Sequence, residues 1–165
     1  MKKSRPQAYQ EWLRIIFKQM SHLSKPQAVV LGMWSFAIAM THFCGLSTVT
    51  VFLAEILEQP ENTVRERLRQ WYLDGGEKKG RKRGQIDVEQ SFVPLLNWIL
   101  SWWSSSEKSL VLAADASTLG QRFTILVISL VYRGCGIPVA WKIVRATEKG
   151  SWKPYWLKLL EKLKD

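Results

Sequence analysis

Apolar residues recur every three or four positions through the first hundred residues, then in short unbroken or alternating runs, so the chain changes period once along its length. Between residues 7 and 21, Tyr9, Trp12, Leu13, Ile16, Phe17 and Met20 make one stripe, with Arg14 and Lys18 facing away, as in an amphipathic helix. Ser24 suits an N-cap and Pro26 a first helical turn. The segment "AVVLGMWSFAIAM" that follows is apolar nearly all round, the mark of a helix buried among neighbours, and a break is expected near Cys44 and Gly45.

From Gly45 the pattern reads helix, short break, helix: "LSTVTVFLAEIL", "EQPEN", "TVRERLRQWYL", with Asn62 or Thr63 as N-cap and Gly75-Gly76 as the stop. That is the outline of a helix-turn-helix. In its second helix Val64, Leu68, Trp71 and Tyr72 share a face, which puts Arg65 and Arg69 together on one side and Arg67 elsewhere on the exposed arc. A further helical pattern between Ile86 and Trp103 carries Phe92, Leu95, Leu96, Ile99, Trp102 and Trp103. The serine-rich "SSSEKS" ends it and marks a boundary: a helical domain over 1–104, a linker over 105–109 and a second domain over 110–165.

Residues 110 to 116 of "LVLAADASTLG" read as a short strand buried on both faces, with Asp115 at its C-terminal end. "RFTILVISLVYR" and "PVAWKIVRA" are β-branched strands joined through "GCGI", and they predict a hairpin. Ser151 can then cap a helix whose stripe is Trp152, Tyr155, Trp156, Leu159, Leu160 and Leu163. The fold class is therefore α+β, helices first and a small sheet with a helix after them.

Composition narrows the partners. Hydrophobic residues make up 47% of the 165, enough for a core, and a net charge of +10 favours a polyanion, either nucleic acid or an anionic membrane. Cys44 and Cys135 stand far apart without ligand spacing, so buried, inert thiols in a reducing cytoplasm are expected. The N-terminal "MKKSRPQAYQEWLRIIFKQM" lacks the uninterrupted apolar core of an export signal. Pro26 to Ala54 holds no Asp, Glu, Lys or Arg, but its Ser, Thr, His and Gly positions and the break near Gly45 argue against a single membrane span.

Charge is concentrated in one place. Between Arg65 and Arg83, the eight basic residues Arg65, Arg67, Arg69, Lys78, Lys79, Arg81, Lys82 and Arg83 face only three acids, a local net charge of +5. A solvated helix face would account for the three arginines alone. The adjoining "KKGRKR" shifts the reading to contact with DNA phosphates. Most of the nine tryptophans, Trp12, Trp34, Trp71, Trp98, Trp102 and Trp156 among them, fall on apolar helical faces and are assigned to packing, and His22 and His42 have no ligand partners at metal spacing.

The stretch "LVLAADAST…FTILVISLVYRGCGIPVAWKIV…GSWKPYWLKLLEKL" resembles the opening of the catalytic domain in DDE transposases of bacterial insertion sequences, a ribonuclease-H-like fold. The resemblance is loose over residues 7 to 104, where a helical DNA-binding domain would precede it, and more specific over 110 to 163. It implies that Asp115 is the first catalytic aspartate and a ligand to Mg²⁺. Two such ions, about 3.5 to 4 Å apart, would stabilise the attacking and leaving oxygens of a phosphodiester. It further implies double-stranded DNA, most naturally element ends, as partner, and a homo-oligomer as assembly. The family's second Asp and its Glu have no match in this sequence, and Glu148 and Glu161 do not stand at ligand positions, so an incomplete ribonuclease-H-like domain, inactive alone, is expected.

Without the resemblance, Asp115 reads as a turn residue accepting hydrogen bonds from the backbone of "STLG". Two other functions then compete: a stand-alone DNA-binding regulator without catalysis, and a small membrane protein anchored by residues 28 to 46.

Overall fold

The structure, a computed structural model, describes residues 4–78, 84–103, 109–148 and 151–164. Two compact units divide the chain, Met1–Asp87 and Val88–Asp165. The division lies upstream of the linker expected at 105–109, most of which is outside the described residues.

The first unit holds four helices: α1 (Arg5–Gln19), α2 (Lys25–Thr41), α3 (Leu46–Leu57) and α4 (Glu61–Tyr72). Capping boxes start α1 and α2: the Ser4 N–H donates to Gln7 Oε1 (3.1 Å) and the Ser24 N–H to Gln27 Oε1 (2.9 Å). His42 at the end of α2 and Glu58 at the end of α3 take the left-handed conformation that closes a helix, with φ of 60° and 51°. The expected break near Cys44 and Gly45 is therefore present. The N-cap of α4 is Pro60, two or three residues before the expected Asn62 or Thr63, because the fixed φ of proline suits that entry. It ends at Tyr72, before the two glycines.

These helices share one core built on Tyr9, Leu13, Met33, Phe36, Val49, Leu53, Val64 and Leu68. Gly32 lets α1 and α2 come close: a Cβ there would lie 2.4 Å from Leu13 Cδ2. Beside it, Trp12 Nε1 donates to Ser35 Oγ (2.8 Å), which donates on to the Leu31 carbonyl (2.7 Å). The stripes are narrower than their periodicity suggests, since Phe17 of α1, Ile38 and Met40 of α2 and Tyr72 of α4 are exposed. Among the described residues no single helix is long and apolar enough to cross a membrane; α2 and α3 pass that test only as a pair bent by 100°.

The second unit begins with a 3-10 turn (Glu89–Ser91) and α5 (Phe92–Leu100), followed by β1 (Leu112–Leu119), β2 (Phe123–Tyr132), β3 (Cys135–Arg145) and α6 (Lys153–Glu161). The three strands form an antiparallel sheet in the order β1-β2-β3. The hairpin turn is Arg133-Gly134, not "GCGI": both residues have positive φ, 49° and 80°, and Tyr132 pairs with Cys135. A bulge where the register shifts at Ile128/Ser129 lies beside Pro138, which an edge strand tolerates. Thr124, Leu126, Ile128 and Leu130, alternate residues of β2, are buried, and the three aliphatic ones meet Phe92, Leu96 and Ile99 of α5 and Leu159 of α6 in one core. The helix α5, expected with the helical domain, thus shares the core of the sheet.

Two expectations are corrected here. Cys44 and Cys135 are both exposed, one in the α2–α3 connection and the other next to the β-turn. Trp102, expected on a packed face, is 48% exposed, past the end of α5.

Candidate nucleic-acid interface and the Asp115 strand

The helix α4 is held by Val64 and Leu68, both fully buried, so its remaining faces carry charge. Its three arginines occupy three different settings. Arg65 is half-buried and donates from Nη1 to Ser47 Oγ on α3 (3.4 Å). Arg69 is exposed and pairs with Glu66 at 3.3 Å, one helical turn back. Arg67 points elsewhere, as its offset from the other two requires, and lines an open groove of about 530 Å³.

The first turn of α2 (Ser24, Pro26, Gln27), Val30, Gln70 and Trp71, and the residues Lys78, Gly84 and Ile86 complete this groove. Lys78 is fixed at its rim by a hydrogen bond from Nζ to the Gly84 carbonyl (2.7 Å). Gln70 Nε2 donates to Glu66 Oε1 (2.8 Å), which turns the carboxylate of Glu66 towards Gln70 and Arg69. In the helical core, burial pushes the Tyr9 hydroxyl up to about 12, and the Arg67 charge opposes that rise. Of the eight basic residues singled out in the sequence, Arg65, Arg67, Arg69 and Lys78 are placed; Lys79, Arg81, Lys82 and Arg83 lie outside the described residues. The convergence of Arg67 with Lys78 was not legible in the sequence, because eleven positions separate them and only the packing of α2 against α4 brings both to one opening.

In the second unit, Asp115 stands in the middle of β1, opposite Val127 of β2, and not at the end of a strand. All eight residues of β1 are exposed, against the expectation of a strand buried on both faces. The physical reason is coverage: α5 and α6 share a core with β2 and β3 that includes no residue of β1, which pairs with β2 alone among the described residues. Ser117 Oγ donates to Asp115 Oδ2 at 2.9 Å, the two side chains lying two residues apart on the same face. Glu148, weighed as a substitute ligand, is hydrogen-bonded by the Tyr155 hydroxyl, and this bond raises the pKa of Tyr155. Glu161 closes α6 and is exposed.

A two-metal centre needs several oxygen ligands around each ion. Among the described residues no group of three His, Cys, Asp or Glu side chains is placed to hold a metal ion. Comparison with protein-family models, curated proteins and solved structures finds no match for the chain.

Proposed function

We propose that this chain is the DNA-binding and leading catalytic portion of a DDE-type DNA transposition protein, in which the helical unit grips duplex DNA and β1 offers Asp115 as one of several carboxylates. One observation carries the reading: a strand bearing Asp115, an antiparallel hairpin and a helix follow one another in the order and pairing of the opening of a ribonuclease-H-like domain. The exposure of β1 and its open edge support it, since a strand of that fold would receive a further strand there.

In this reading the first unit binds the DNA. The net charge of +5 between Arg65 and Arg83 lies on and just after the second helix of a helix-turn-helix-like pair, where phosphates of a duplex come within reach. Asp115 alone cannot organise two dications, so cutting and joining wait on carboxylates that the resemblance does not assign within these residues.

A nuclease assay with Mg²⁺ on duplex DNA tests the reading. The full chain is expected to bind DNA and leave it intact. Cleavage that is abolished by Asp115→Ala would contradict the view that this carboxylate is one member of an incomplete set. Absence of DNA binding would remove the proposal altogether.

A further inference from the structure

Arg67 and Lys78 come from different stretches of chain and open onto one groove whose lining, among the described residues, contains no Asp or Glu. The first turn of α2, a helix of 17 residues with no acid in that turn, forms part of the same wall. Its N-terminal dipole adds to the positive potential there. The lining also holds three large apolar side chains, Val30, Trp71 and Ile86, beside Gln70 and Gly84. A lining that combines two cations with an indole and two aliphatic side chains matches a charged phosphate joined to an uncharged sugar.

We propose that this groove seats one phosphodiester and its deoxyribose from a bound DNA strand, with the phosphate oxygens on Arg67 and Lys78 and the sugar against Trp71. The inference rests on the DNA-binding reading and refines it, because it moves the anchor from the Arg65 and Arg69 side of α4 to the side that faces α2. Arg67 suits this role because its planar guanidinium offers paired donors to a phosphate. The guanidinium of Arg65 is shared with Ser47, and that of Arg69 with Glu66. Lys78 spends one of its three N–H donors on Gly84 and keeps two for a ligand.

The test uses the full chain, a fluorescein-labelled duplex of about 20 base pairs and anisotropy titrations over a range of NaCl concentrations. Removing one phosphate contact lowers the slope of log K against log salt by about 0.9. Arg67→Gln and Lys78→Gln are each expected to flatten the slope by about one and to weaken binding several-fold, with Arg67→Lys retaining the slope. Lys18→Gln, an exposed basic position on α1 that does not line the groove, is expected to leave it within a few tenths. Circular dichroism matching the wild type shows that each variant is folded, and Arg67→Lys serves as the control if Arg67→Gln is not. Wild-type slopes in both Arg67→Gln and Lys78→Gln, or a Lys18→Gln slope as flat as theirs, would overturn the proposal while leaving DNA binding in place. Wild-type chain that shows no salt-dependent binding would instead overturn the DNA-binding reading beneath it.

Discussion

The Ser117 hydroxyl donates a 2.9 Å hydrogen bond to Asp115 Oδ2 on an exposed strand, so the one carboxylate assigned by the resemblance is held by a neighbour two residues on. Exposed pairs of this kind contribute little to folding. Asp115→Asn and Ser117→Ala should each change stability by no more than about 0.5 kcal/mol, measured by urea unfolding. A loss of several kcal/mol would show that Asp115 is a structural residue.

Tyr9 and Arg67 make a second linked pair. Burial raises the Tyr9 pKa from 10.0 to about 12, so the unfolded chain gives up this proton first as pH rises. Stability that is complete below pH 10 should fall as pH rises from 10 to 12, as read from urea midpoints. Removing the opposing charge with Arg67→Gln should move the tyrosinate absorbance transition of Tyr9 to still higher pH.

The position of α4 depends on two side chains. Val64 and Leu68 are completely buried in the helical core. Leu68→Ala should cost about 2 to 5 kcal/mol, through reduced burial and the cavity left behind. Chemical unfolding followed by circular dichroism gives the value, and a cost below about 1 kcal/mol would mean that α4 is not fixed as described.

The open edge of β1 has a consequence for solution behaviour. Its eight residues, "LAADASTL", contain no Lys, Arg or Pro to discourage pairing with another strand. Ala113→Lys should reduce concentration-dependent self-association in sedimentation experiments. Unchanged association would place the contact elsewhere.

Much of the fold was legible because local signals were strong. Ser24 with Pro26 announced α2, the run from Leu46 to Leu57 is α3 residue for residue, and the β-branched segments gave the hairpin. Burial was less legible. The apolar "LVLAADA" suggests a central strand, but an edge position is decided by which strands are present to pair, and β1 has only β2 among the described residues. Leu112 and Leu119 therefore remain 42% and 55% exposed.

The candidate site shows the same division. Helical spacing separated Arg67 from Arg65 and Arg69 correctly, yet favoured the pair as the basic edge. Tertiary packing changes their weight: α3 supplies Ser47 to Arg65, and the first turn of α2 lines the groove together with Arg67. Neither partner is visible from the spacing within α4.

The central claim is that the helical unit binds duplex DNA through its basic surface. The most direct measurement is the affinity of the unmodified chain for a random duplex as salt is varied. With several phosphates neutralised, log K should fall linearly against log salt with a slope steeper than about −3, and micromolar binding at low salt. A flat dependence, or no binding at the lowest salt, would contradict the account.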